Sequence, residues 1–260
     1  MNNTEYDEKI KREREWYTHG KFNRKHILNS RLFYSQERNN FNYIFPRCQF
    51  AKQIHIGIQS NKNDNPSILI APIGSGGDLP YIIPLSSRIC GIDISPEAID
   101  TIKKLGIEAY VGDINKMSMF QDDQFDIVLM PLFFHHVRQF GFEQFLKECF
   151  RVLKPGGFIF SLEPSSWHPM AWVSWVLRKI VGNITGLVED EAPFPPRVLS
   201  QAMKQTGFRN VEVLGASFCH NRIPIPLAKV TNFLTYPLLK IPIVNNLAWM
   251  CIFSGRKPLI

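Results

Sequence analysis

Little in this chain could staple it covalently or anchor it across a membrane. Its five cysteines, Cys48, Cys90, Cys149, Cys219 and Cys251, are scattered through 260 residues and form no Cys-x-x-Cys pair. That spacing leaves neither a zinc-ligand cluster nor a disulfide framework, so no metal site is expected and the thiols imply a reducing, cytoplasmic setting. No apolar run reaches the roughly 20 residues that a membrane-spanning helix needs. The N-terminus is polar and charged, without the apolar stretch of a signal peptide. Internal repeats and low-complexity tracts are absent. Acidic residues are in deficit: 23 Asp and Glu against 30 Lys and Arg give a formal net charge of +7. Part of the excess sits in Lys9-Ile10-Lys11-Arg12 and Arg24-Lys25. It reads either as solvated helix charge or as attraction to anionic substrates or a membrane surface. Basic residues are not interleaved with aromatics in a nucleic-acid pattern, and no nucleic-acid partner is expected.

What is present is a globular composition, 45% hydrophobic and 20% charged, long enough for one large α/β domain with embellishments. Residues 1–60 read as an N-terminal helical cap, with helical spacing over Glu13 to Tyr17, Leu28 to Tyr34 and Arg38 to Ile44. The polar cluster Asn61-Lys62-Asn63-Asp64-Asn65-Pro66 closes it. Residues 61–260 read as a second unit in which short apolar strands alternate with helices. That alternation implies an α/β fold, a doubly wound, mostly parallel, seven-stranded Rossmann-like sheet.

The expected strands are Ile68 to Ile70, Arg88 to Ile92, Glu108 to Val111, Phe125 to Met130, Phe158 to Leu162, Phe208 to Leu214 and Trp249 to Ser254. Ser95-Pro96 marks a helix start that Gly106 ends. A second helix is expected from about Phe142 to Leu153, stopped by a turn at Lys154-Pro155-Gly156-Gly157, and a third from Val198 to Thr206, ended by Gly207. Residues 165–207 and 216–246 read as helical elaborations. They include a helix over Trp167 to Ile180 and a rigid linker at Pro193-Phe194-Pro195-Pro196.

Chemistry concentrates at the strand ends. Ile68 to Ile70 runs into Ala71-Pro72-Ile73-Gly74-Ser75-Gly76, where Gly74 and Gly76 permit close backbone approach by a ligand. A dinucleotide fingerprint asks for a third Gly or Ala at Leu79, to seat the helix against a diphosphate. Leu79 fails that requirement, which disfavours a nicotinamide enzyme. Asp93 ends the second strand, where a carboxylate can accept both hydroxyl hydrogens of a ribose. Asp113 ends the third and can accept from an exocyclic amine, while Ile94 and Ile114 offer flat apolar contact. Two carboxylates facing one ligand suit a cationic sulfonium cofactor.

In this order and spacing, Ile73-Gly74-Ser75-Gly76, Gly91-Ile92-Asp93-Ile94-Ser95, Phe125-Asp126-Ile127-Val128 and Leu153-Lys154-Pro155-Gly156-Gly157 resemble the class I S-adenosylmethionine-dependent methyltransferases over about residues 66–165. The resemblance implies that Gly74 and Gly76 line the methionine half of S-adenosylmethionine, Asp93 its ribose, and Asp113 with Ile114 its adenine. The chain departs from the family where an acidic residue is usual at Ile70 and a first glycine at Pro72. Backbone at Ala71, Pro72 and Met130 is then expected to hold the cofactor's amino-acid end, with Asp78 as a nearby carboxylate that could compensate.

His135 and His136 follow the fourth strand, where the family's substrate often meets the methyl group. They are the candidate catalytic residues, able to take a proton near neutral pH. The apolar segments around Trp167, Trp172, Trp175, Phe218, Leu227, Phe233 and Tyr236 read as core of the elaborations or as cover for a small lipophilic acceptor. They also suit peripheral contact with a membrane, helped by Arg178, Lys179, Lys229 and Lys240. A non-catalytic cofactor-binding or membrane-associated partner protein is the alternative that the altered Ile70 and Pro72 positions keep open.

Overall fold

The computed structural model describes residues 3–19, 36–173, 176, 192–221, 223–239 and 241–259. The expected helix over Leu28 to Tyr34 lies outside them, as do Trp175, Arg178, Lys179 and Lys240. Residues 169–173, within the expected helix Trp167 to Ile180, are helical.

The strands are β1 (Ile68–Ile70), β2 (Ile89–Asp93), β3 (Glu108–Val111), β4 (Phe125–Pro131), β5 (Leu153–Pro164), β6 (Arg209–Ser217) and β7 (Met250–Arg256). They form one seven-stranded sheet in the order β3-β2-β1-β4-β5-β7-β6. β1 to β5 pair in parallel, and β7 runs antiparallel to β5 and β6 between them. This is the doubly wound sheet that the strand and helix spacing implied.

The helices are α1 (Asn3–His19), α2 (Gln36–Ser60), α3 (Leu79–Ile82), α4 (Pro96–Lys104), α5 (Glu143–Val152), α6 (Pro196–Thr206), α7 (Ile225–Leu239) and α8 (Pro242–Asn245). Every β1 residue is buried, because helices cover both faces of a parallel sheet. Alternating strand residues sort the core into two layers. Ile68, Ile70, Ile127 and Leu129 pack with Phe50, Ile54 and Ile58 of α2 and with Ile99 and Ile102 of α4. Leu69, Val128 and Met130 face the other way, among Tyr6 of α1, Phe145 and Leu146 of α5, and Leu199 and Met203 of α6. The two helices that precede β1 therefore lie on opposite faces of the sheet.

Local signals act where the sequence placed them. Ser95 Oγ accepts from Ala98 N–H at 3.1 Å to cap α4, with Pro96 in its first turn. Gly106 and Gly207 follow α4 and α6 with φ of +77° and +113°. Two expected connectors are corrected. Lys154-Pro155-Gly156-Gly157 belongs to β5, whose Leu153 pairs with Phe125, while Gly156 and Gly157 exchange backbone bonds with Lys257 beyond β7. Pro193-Phe194-Pro195-Pro196, expected as a rigid linker, is instead packed into the core and the start of α6. Phe194 is buried, bridges to Ser165 and sits 5.1 Å from the Phe142 ring, and Pro196 opens α6. Among the described residues no helix is long and apolar enough to cross a membrane.

Candidate active site

Strand order reverses between β1 and β4, so the loops beyond their C-terminal ends diverge and leave a crevice. The glycine loop fills one wall. Gly74 and Gly76 adopt φ of +52° and +83°, a region that side-chain-bearing residues resist. Gly74 N–H donates to Asp93 Oδ2 at 2.8 Å, and Ser95 N–H donates to Oδ1 at 2.9 Å. The carboxylate, which also accepts from the Ile94 backbone, thus fixes the loop. Burial raises the Asp93 pKa against the lowering effect of those backbone bonds, and the charge of Glu13 adds to the rise. Gly91 in β2 lets the loop settle, since a Cβ there would collide with the Ile73 side chain.

One pocket lies in this crevice. Pro72, Asp93, Ile94, Asp113 and Ile114 line it from β1, β2 and β3. Leu132, Phe133, His136 and Val137 line it from the loop after β4, and Tyr6, Lys9, Ile10 and Glu13 from α1. Ala71 and Met130 are buried in the sheet beneath. Gly74 and Gly76 shape the loop without lining the pocket, and His135 also stays outside the lining. Asp78, expected as a substitute for the acid missing at Ile70, is instead paired with Arg47 at 2.7 Å and takes no part in the lining.

The two histidines have separate environments. His135 Nδ1 lies 2.7 Å from Glu163 Oε2, and Glu163 is fully buried at the end of β5. Glu163 Oε1 accepts from Phe133 N–H and Phe134 N–H, each at 2.8 Å, and from Ser161 Oγ at 3.1 Å. A buried carboxylate held by that many donors pins the whole turn after β4. Leu132 enters this turn at φ +56°, a strained value for leucine. His136 faces the pocket instead, its Nδ1 3.3 Å from Glu13 Oε1.

Tyr6, Lys9, Glu13 and Glu163 are site residues that the motifs did not reveal. Tyr6 OH donates to Asp113 Oδ1 at 2.7 Å across 107 residues of sequence. Burial, then the adjacent Asp113 charge, pushes its phenol pKa up. No local pattern announces such a contact. Glu163 did leave a signal, an acidic residue at the C-terminal end of an otherwise apolar strand.

The residues present suit the cofactor that the motifs imply. Two carboxylates at successive strand ends match ribose and adenine donors, Ile94 and Ile114 supply apolar contact, and the lysine in the lining, Lys9, is balanced by Glu13.

Comparison with known proteins agrees with this geometry. A family described as "Methyltransferase domain" matches residues 71–161. The chain is 28% identical over 178 residues to an uncharacterized methyltransferase of Schizosaccharomyces pombe, covering 63% of this chain and 69% of that protein. It is 29% identical over 218 residues to a demethylmenaquinone methyltransferase of Chlorobaculum parvum, covering 71% of this chain and 89% of that protein. Its fold is similar to that of an S-adenosylmethionine-dependent methyltransferase from Thermotoga maritima, described as a possible histamine N-methyltransferase. The TM-score is 0.60 at 17% identity, over 85% of this chain and 91% of that one.

Proposed function

Because the chain is a class I S-adenosylmethionine-dependent methyltransferase, we propose that its acceptor is a small lipophilic molecule met at a membrane surface. The bound cofactor supplies a methyl group on a sulfonium sulfur, and its in-line displacement needs chiefly proximity and orientation. Leu132, Phe133 and Val137 give the pocket an apolar mouth beside Pro72. Of the two candidate histidines His136 lines the pocket, while His135, tied to Glu163, holds the turn in position.

The observation that carries this reading is α7, which is built inside out. Its buried side carries Ala228 and Thr235, both fully covered. Its outward face carries Leu227, Val230, Phe233 and Leu234, of which Phe233 is 79% exposed. These four, with Pro226 and Pro237, share one continuous face by helical periodicity. Trp172, 66% exposed, adds an aromatic ring of the kind that settles at a bilayer interface. From Val213 to the end of the chain there is no Asp or Glu, against five basic residues, Arg222, Lys229, Lys240, Arg256 and Lys257. Lys229, exposed on the same helix, is the basic neighbour of this outward apolar face, and the combination suits an anionic lipid surface. The similarity to a demethylmenaquinone methyltransferase supports the same class of acceptor.

Incubating the chain with methyl-labelled S-adenosylmethionine and a whole-cell metabolite extract tests the acceptor. Label is expected in the organic phase after partitioning. Label confined to the aqueous phase would rule the lipophilic acceptor out.

A further inference from the structure

Lys9 is the most unusual charge in the molecule. Its side chain is 2% exposed, and its Nζ lies 2.8 Å from Glu13 Oε1. Among the described residues it meets no other acceptor, and even that contact falls short of hydrogen-bond geometry. An ammonium has three donors, so this buried cation is left with most of its bonding capacity unused. Such a group is costly unless a partner arrives. Lys9 and Glu13 both line the cofactor pocket.

Glu13 is the complementary half. Burial raises its pKa, but the nearby His136 and Lys9 outweigh that and hold it at about 2. It is therefore a carboxylate at any working pH. Its Oε1 is shared by Lys9 and His136, and no partner is recorded for Oε2 among the described residues. An anion and a cation one helical turn apart, both facing the same ligand, form a receptor for a zwitterion.

The direction of α1 fits as well. Tyr6 touches Asp113 at the β3 end of the crevice, while Glu13 lies close enough to Asp93 to raise its pKa and touches His136 in the turn after β4. The seven-residue step from Tyr6 to Glu13 spans about 10 Å of helix. α1 thus runs along the crevice from the nucleoside-facing carboxylates toward the apolar mouth. At that far end the sheet offers Ile70, Ala71 and Pro72, none of which carries a charge.

We propose that α1 reads the amino-acid end of the cofactor, with Glu13 accepting from its ammonium and Lys9 donating to its carboxylate. Lys9 and Glu13 pair with each other on α1, and ligand binding exchanges one ion pair for two. The proposal is independent of what the acceptor is.

Binding calorimetry on the full chain tests it with two nucleosides, S-adenosylhomocysteine and 5'-methylthioadenosine, which lacks the amino-acid end. Glu13→Gln and Lys9→Met should each weaken S-adenosylhomocysteine by about tenfold or more, the range for a hydrogen bond between charged groups. The same variants should leave methylthioadenosine within about twofold. The exchange Lys9→Glu with Glu13→Lys keeps an ion pair on α1 and should still lose S-adenosylhomocysteine selectively. Equal weakening of both nucleosides, or unchanged affinity for S-adenosylhomocysteine, would overturn the assignment.

Discussion

At the scale of single residues, several buried polar groups find their partners within the fold. His168 is the clearest case. Met170 N–H donates to its Nδ1 at 3.2 Å, and its Nε2 lies 3.2 Å from the Phe218 carbonyl oxygen. The first contact makes Nδ1 the acceptor, so Nε2 carries the proton and donates, and the ring is neutral. Burial takes its pKa down to about 4, against an ordinary value of 6.5. Between those values the unfolded chain binds more protons than the folded one, so stability rises with pH through this window. The contribution is complete above about pH 6.5 and lost as pH falls to about 4. At pH 5 it has dropped by roughly 2 kcal/mol. Urea midpoints at pH 7 and pH 5 should show that loss in the native chain. His168→Gln, which can still donate and accept, should show a loss smaller by about that amount. Glu13 acts in a lower window, since its stabilising ionisation is lost only below about pH 4.5.

At the scale of elements, α7 and α1 are the two helices whose roles follow from what they present. α7 turns its large apolar side chains outward, so the pair Phe233→Glu and Leu234→Glu should leave the melting temperature almost unchanged while abolishing lipid contact. Each side chain contributes about 1.5–3 kcal/mol when buried, so flotation with phosphatidylglycerol vesicles should fall at least about tenfold. Unchanged flotation, or a native chain that does not float at all, would contradict the membrane face.

Most strands could be read from the sequence because each carries its own signal, an apolar run bounded by Gly, Pro or Asp, as at Ile68 to Ile70. β5 begins five residues earlier than expected because pairing with Phe125 and Lys257 absorbs a proline and two glycines that locally favour a turn. Phe194 was likewise hidden, since prolines on both sides suggest a linker while its ring fills space beside Phe142 and Phe253. The direction of the α7 face escapes periodicity, which shows that a stripe exists but not whether the stripe looks inward.

At the scale of the whole molecule, the sheet brings strand-end carboxylates from β2 and β3 into one crevice, and α1 closes it from the opposite end of the chain. The first half of that construction was legible, because Asp93 and Asp113 each follow a strand at a spacing that chain topology fixes. The second half was not, because the packing of α1 on the crevice depends on tertiary contacts such as Tyr6 with Phe140 and Phe145, at 5.3 and 5.8 Å. Asp93 is where the two halves meet. It fixes the glycine loop through Gly74, starts the turn into α4 through Ser95, and feels the charge of Glu13. Calorimetric titration of the native chain and of Asp93→Ala with S-adenosylhomocysteine is therefore the most direct measurement. Saturable binding by the native chain, weakened at least about tenfold in Asp93→Ala by loss of a charged acceptor, is the predicted result. No binding, or equal affinity in the two proteins, would contradict it.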